Sequence, residues 1–178
     1  MEEAETHLEN VGRVVAALRA LGYEPILVGG MALVVLGSRR VTRDFDFVIA
    51  GPGAQLPRLI DVFYDRGLEL ASRVNGAGDV IATIDNRRVA ATRLRMDAPS
   101  SAYFQNPRTG LRIDLLFDFP LPAAELAERA TSARIGSIAL RIAAEADLLQ
   151  LKVLARAGRS SPGDAEDIAF LEARRAKP

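Results

Sequence analysis

The sequence predicts a single α+β domain whose mixed β-sheet is flanked by helices, and three observations lead there. The predicted elements run helix, strand, helix, strand, helix, then several strands, then helices, an order that argues for a mixed sheet. With 178 residues, 49% of them hydrophobic, the chain can bury one good core but falls short of two full-sized domains. No internal repeat or low-complexity tract divides it. Residues 1–178 are therefore read as one domain ending in a helical segment at about 143–174.

Leu8, Val11, Val14, Val15, Leu18 and Leu21 follow helical spacing, and Gly22 closes that helix before a buried strand, Ile26 to Val28. Gly29-Gly30 punctuates, and Met31 to Leu36 reads as a short helix. Asp44 to Ile49 alternates charged and apolar residues as a half-buried strand does. Gly51-Pro52-Gly53 is a turn, and Leu56, Leu59, Ile60 and Phe63 mark a helix closed by Gly67. Leu68 to Val74, Asp79 to Ile84 and Arg88 to Leu94 carry alternation or β-branched residues, so three strands are expected, with Asn75-Gly76 and Asp85-Asn86 as hairpin turns. A polar stretch holds Tyr103 and Phe104. Leu111 to Phe117 is a further strand, with Arg112 and Asp114 on one face. Pro120 to Pro122 opens a helix to Ala130, and Ala133 to Ile142 forms a narrow hairpin about Gly136. Ala146, Leu148, Leu149, Leu151, Val153 and Leu154 give a helix with a broad apolar face, broken at Gly158 to Gly163, and Asp164 is placed to cap a last helix to about Arg174.

Charge and composition exclude several function classes. The 23 basic and 23 acidic residues cancel, so nothing at whole-chain level marks a nucleic-acid or membrane-surface binder. With no cysteine there is no disulfide, thiolate metal site or cysteine nucleophile. The acidic N-terminus lacks the basic start and apolar run of a secretory signal, and the longest uncharged stretch, Pro25 to Ser38, is too short to span a bilayer, so a cytoplasmic location is expected.

The chemistry concentrates in three acids and a glycine pair. Asp44 and Asp46 lie two apart in a predicted strand and project from one face, roughly 6.5 to 7 Å apart by strand rise. Ionised together they repel, and a divalent cation removes that penalty while gaining the oxygen ligands magnesium prefers. Asp114 belongs to a strand of the same kind, and adjacent strands bring it to the same edge. Three carboxylates around two metal ions make the clamp that phosphoryl and nucleotidyl transfer need. Gly29 and Gly30 let backbone amides approach a triphosphate, with a helix start pointing the same way. Arg39, Arg40 and Arg43, just before the acids, can neutralise leaving pyrophosphate or orient a polyanionic acceptor.

Val28-Gly29-Gly30-Met31-Ala32-Leu33, with 13 residues between Gly30 and Asp44, then Asp44-Phe45-Asp46, resembles the glycine-pair and paired-aspartate signature of the DNA polymerase beta-like nucleotidyltransferases. Within them, Arg40-Val41-Thr42-Arg43-Asp44-Phe45-Asp46-Phe47 is similar to the AbiEii/AbiGii toxin-like branch. So is Ala146-Asp147-Leu148-Leu149-Gln150-Leu151-Lys152, followed by Arg159 and Asp164-Ala165-Glu166-Asp167-Ile168. Asp114 in Arg112-Ile113-Asp114-Leu115-Leu116 fits the third carboxylate. The resemblance implies the polymerase beta-like fold and a nucleoside triphosphate, such as ATP, used with Mg2+ as two ions. Gly29, Gly30, Asp44, Asp46 and Asp114 fall in its site, with Lys152 and Asp167 near the nucleotide. It also implies a toxin-antitoxin setting in some members, which modify transfer RNA and are opposed by a separate antitoxin protein. Many relatives carry an additional helical region that is not found after Asp167 here, which leaves the acceptor open.

Blander readings stand beside these. An aspartate pair can be a solvated strand edge, and a glycine pair an ordinary turn. Lys152 can snorkel over apolar surface, and Asp164 and Asp167 can cap a helix and favour its dipole. Arg87, Arg88, Arg93 and Arg95 are expected as a solvated face, Tyr103 and Phe104 as buried or edge aromatics, Asp118 as a turn residue, and His7 as a bystander. Taken together the acids and glycines predict a magnesium-dependent nucleotidyltransferase: Asp44, Asp46 and Asp114 are catalytic and metal-binding, and Gly29, Gly30, Arg43, Lys152 and Asp167 bind the nucleotide. The acceptor is expected to be RNA or, alternatively, a small antibiotic-type molecule. A non-catalytic nucleotide- or partner-binding module is the alternative from another class.

Overall fold

The computed structural model describes residues 2–158 and 162–177. Arg159, quoted in the resemblance above, lies outside them. The chain runs α1 (Glu2–Ala20), β1 (Ile26–Val28), α2 (Gly29–Val35), β2 (Phe45–Ile49), a single 3-10 turn (Gly53–Gln55), α3 (Leu56–Tyr64), β3 (Glu69–Val74) and β4 (Val80–Ile84). It continues through α4 (Arg87–Asp97), β5 (Ser101–Gln105), β6 (Arg112–Phe117), α5 (Ala123–Arg129), β7 (Thr131–Ile135), β8 (Ile138–Ile142), α6 (Glu145–Gly158) and α7 (Pro162–Arg175).

Eight strands form one sheet in the order β4-β3-β5-β6-β2-β1-β8-β7. It is mixed, as expected: β2–β6 and β1–β8 pair in parallel, while β1–β2, β3–β4, β3–β5, β5–β6 and β7–β8 are antiparallel. Strand alternation divides the two faces. One carries Phe45, Phe47, Ile49, Phe104, Ile113 and Leu115, all fully buried except Phe45, which keeps 6% of its surface. The Phe63 ring of α3 stacks on Phe104 at 3.9 Å between centroids, which places α3 on this face. α1 packs here as well, with Val11, Val14, Val15 and Leu18 buried and Gly12 so close to β8 that a Cβ would meet Ile138 Cδ1 at 2.9 Å. The other face carries Asp46 and Asp114. At its β1–β8 end it is covered by α5, which Arg141 of β8 grips by donating to Ala127 O at 2.8 Å and Ala130 O at 3.0 Å.

Three expectations are corrected. Arg88 to Leu94 is a helix, α4, and not a strand. Asn86 explains it: its side chain accepts from the Arg88 and Val89 amides at 3.0 and 3.2 Å, so Asp85-Asn86 starts a helix where a hairpin turn was expected. Ala90 and Leu94, four apart, then supply the buried face. The polar stretch around Tyr103 forms β5, in which Ala102 and Phe104 are buried. Finally, α7 begins at Pro162, so Asp164 lies inside its first turn, buried, instead of capping it. Asp118 is the turn residue expected: it has a φ of 50° and accepts from the Gly51 and Ala123 amides.

Candidate active site

Parallel pairing of β2 with β6 makes Asp46 the direct Cα partner of Asp114, and Val28 of β1 is the partner of Asp46 on the other side. The glycine pair follows Val28, so the turn is delivered against Asp46. Gly29 has a φ of +68°, and a Cβ there would lie 2.2 Å from Asp46 Oδ2, so both backbone conformation and space demand glycine. A Cβ on Gly30 would lie 2.9 Å from Arg40 Cζ, because the guanidinium lies over this second glycine. Arg40 Nε is buried and has no hydrogen-bond partner among the described residues.

Burial first, then the neighbouring charges of Asp114 and Asp44, pushes the Asp46 carboxyl up to about 7, against the opposing pull of Arg112 and Lys152. Burial raises Asp114 as well, partly offset by its bonds to Arg112. Asp44 sits just ahead of β2, near enough to bear on Asp46, Asp114 and Arg112. Arg112 donates from Nε and Nη2 to the two oxygens of Asp114, each at 2.8 Å.

The C-terminal helices supply the other wall. Lys152 of α6 pairs with Asp167 of α7 at 2.7 Å and lies 3.5 Å from Asp164. Asp167 also accepts from Arg40. A chain of contacts therefore runs from Gly30 through Arg40 and Asp167 to Lys152, whose charge is felt at Asp46. Lys152 keeps only 11% of its side chain exposed, which is an ion pair and not a snorkelling surface lysine.

Of the residues predicted from sequence, Asp44, Asp46, Asp114, Gly29, Gly30, Lys152 and Asp167 come together. Arg43 is exposed on the segment leading into β2, and Arg40 is the arginine laid against the glycines. Sequence reasoning missed the depth of Asp164 and the fork of Arg112 on Asp114. The i, i+2 spacing of Arg112 and Asp114 on one strand face was the available signal. His7, on α1, and the arginines of α4 lie on elements apart from this cluster.

The donor set is oxygen-only and suits a hard divalent cation. Among the described residues no three acidic or histidine side chains already stand as a ligand cluster, and Asp114 has both oxygens turned to Arg112.

A mixed sheet with this glycine turn beside paired acids is the fold of the polymerase beta-like nucleotidyltransferases, and the chain is a nucleotidyltransferase. It belongs to the AbiEii family: the model described as "Nucleotidyl transferase AbiEii toxin, Type IV TA system" matches residues 13–177. The solution structure of the antibiotic-resistance factor ANT(2'')-Ia is similar in fold, with a TM-score of 0.61 at 12% identity, covering 97% of this chain and 85% of that one. The lincosamide antibiotic adenylyltransferase LnuA, lincomycin-bound, has a TM-score of 0.55 at 13% identity, covering 92% and 95%. An antigenic nucleotidyltransferase-like protein from Paracoccidioides brasiliensis reaches 0.50 at 17% identity, covering 91% and 74%. No curated protein matches the sequence. No helix among the described residues is long and apolar enough to cross a membrane.

Proposed function

We propose that the chain moves a nucleoside monophosphate from a nucleoside triphosphate to an acceptor hydroxyl with magnesium, releasing pyrophosphate. The observation that carries this reading is the direct pairing of Asp46 with Asp114 beneath a glycine turn that admits no side chain. Asp44 and Asp46 would hold two Mg2+ ions, with Asp114 joining on the acceptor side. Bound magnesium supplies positive charge to the polyphosphate and to the acceptor oxygen. The chain's own groups do the rest. The raised Asp46 carboxyl is the mark of a site short of positive charge, which a cation corrects. Amides of the glycine turn and the unpartnered Arg40 Nε offer donors to phosphate oxygens. Asp114 accepts the acceptor hydroxyl's proton as that oxygen bonds to the α-phosphorus and the bond to pyrophosphate breaks. Lys152, held by Asp164 and Asp167, faces the same space. No covalent enzyme intermediate is needed, because alignment and charge neutralisation carry such a reaction.

For the acceptor we favour RNA, with a separate antitoxin protein as partner, because the matched family is described as a toxin of a Type IV toxin-antitoxin system. The cytoplasm, which supplies nucleoside triphosphates and magnesium together, is the compartment we assign. A small hydroxylated acceptor is the second reading, favoured by the fold shared with enzymes that act on antibiotics. Incubation with each α-labelled triphosphate, ATP included, and with transfer RNA or aminoglycosides and lincosamides separates the two. Label appearing on transfer RNA alone supports the first reading. Label on the drug alone overturns it, and pyrophosphate release from none of the combinations overturns catalysis.

A further inference from the structure

Asp114 does not stand free to receive a cation. Arg112 closes on it as a bidentate fork, and its third nitrogen, Nη1, donates to the Gly78 carbonyl at 2.6 Å. The guanidinium carbon lies 4.9 Å from the centroid of the Tyr103 ring, a cation–π contact. The pair is largely enclosed, with 14% of the Arg112 side chain and 8% of Asp114 exposed. Tyr103 is the Cα partner of Asp114 in β5, so ring, guanidinium and carboxylate share one face of the sheet.

Gly78 belongs to the turn of the β3–β4 hairpin. Its ladder with β5 pairs Glu69 with Gln105 and Leu70 with Phe104. Beyond Leu70 its own ladder slips twice, between Ala71 and Arg73 and between Arg73 and Val74, as a bulged and strongly twisted ribbon does. Beyond that ladder the tip of the hairpin is held to Arg112, on the face that carries the acids, through the Gly78 carbonyl.

We propose that Arg112 is a latch: it occupies Asp114 until a divalent cation displaces it, and its release lets go of the hairpin tip beside the acceptor side of the site. Metal loading and hairpin release are then one event. The physical case is competition for the same oxygens. A carboxylate whose two oxygens face an arginine fork has its best lone pairs taken, and a cation entering between Asp46 and Asp114 both needs those lone pairs and repels the guanidinium. Arg112 acts through Asp114 and is a positioning residue. This rests on the metal reading above and concerns the state before the metal enters.

The test measures Mn2+ binding to the nucleotide-free full chain by electron paramagnetic resonance, with the fold of each variant checked by circular dichroism. Arg112→Gln should tighten Mn2+ binding roughly tenfold, the scale of about 1.4 kcal/mol of lost competition. Tyr103→Leu keeps every charge but removes the ring under the guanidinium, and should tighten binding roughly threefold, within the range of a cation–π contact. Saturating Mg2+ should speed amide hydrogen exchange at residues 76–79 in the unaltered protein, and Arg112→Gln should show the fast rate without metal. If Mn2+ affinity in Tyr103→Leu stays at the original value, a tightening in Arg112→Gln is long-range charge alone and the latch is wrong. Hairpin exchange that ignores Mg2+ also overturns it. Asp46→Asn separates the two levels. If it abolishes Mn2+ binding while the Arg112 and Tyr103 variants leave affinity unchanged, the metal site stands and only the latch fails. If it has no effect on Mn2+ binding, both fall.

Discussion

Asp46 concentrates the cost of the site in one side chain. Its carboxyl, at about 7 in the fold against an ordinary 3.8, gives a contribution to folding that is fully present below 3.8 and lost progressively as pH rises to about 7. The metal-free protein should melt lower at pH 8 than at pH 5.5, and Asp46→Asn should remove most of that difference while raising the pH 8 melting temperature. A pH 8 melting temperature that falls in Asp46→Asn would contradict this account. The same proton competes with metal. Apparent Mg2+ affinity in a turnover assay should weaken roughly tenfold per pH unit below about 7 and level off above it, because the deprotonated fraction changes tenfold per unit. Asp46→Asn itself should cost about a hundred- to a thousandfold in turnover, as loss of a principal electrostatic group does. Gly29→Ala attacks the same point from the backbone. A left-handed φ costs an ordinary residue about 1–2 kcal/mol, and the methyl group would press on Asp46 Oδ2, so both stability and turnover should fall, measured by urea denaturation and pyrophosphate release.

At the scale of elements, the lesson of α4 is that capping outranks local alternation. Arg88 to Leu94 reads as a strand when apolar and basic residues are counted pairwise, yet the Asn86 side chain satisfies two amides and fixes a helix. Asn86→Ala should therefore cost about 1 kcal/mol of stability in a denaturant titration. Turnover should be unchanged, because α4 packs against α3 on the face away from the acids; a large loss of activity would show that α4 has a part in the site. β5 was hidden for another reason: only Ala102 and Phe104 of its five residues are buried, too short an alternation to outweigh Pro99, Ser100 and Ser101. β1 was legible as a short apolar run closed by the glycine pair, and β2, β6 and the β7–β8 hairpin because their apolar residues alternate between turn residues. The acids were legible because strand period says which side chains share a face, and the turn because Gly29-Gly30 stands between an apolar run and helix formers. Arg40 over Gly30 and Asp164 beneath Lys152 were not legible, because the first depends on the path of the irregular segment between α2 and β2 and the second on how α6 and α7 pack, neither of which follows from local periodicity.

Over the whole molecule, the site joins the first third of the chain to its end. α2 supplies the glycines, β2 and the residue just ahead of it supply Asp46 and Asp44, β6 supplies Asp114, and α6 and α7 close the remaining side with Lys152 and Asp167. Arg174 is the tie that spans this distance. It donates to Glu145 at the start of α6 at 2.9 Å and to the Leu36 carbonyl at the end of α2 at 2.8 Å, and so fixes α7 against both helices. The guanidinium is about one-third exposed, so its loss should cost only about 1 kcal/mol, in the range for a hydrogen bond to a charged group after solvent screening. In a domain of this size that lowers the melting temperature by roughly 2–4 °C. The functional effect should be larger than the thermal one. α7 carries Asp167, which holds both Lys152 and Arg40, so loosening α7 slackens two cations at once on the nucleotide side while leaving Asp46 and Asp114 on their strands and Asp44 just ahead of β2. Arg174→Ala should thus raise the KM for the nucleoside triphosphate severalfold with a much smaller change in kcat, and Arg174→Lys, which keeps the charge but not the fork, should recover only part of it. Steady-state kinetics at saturating magnesium decide the matter: a fall in kcat with unchanged KM would mean that the C-terminal helices support the reacting centre itself and not the nucleotide.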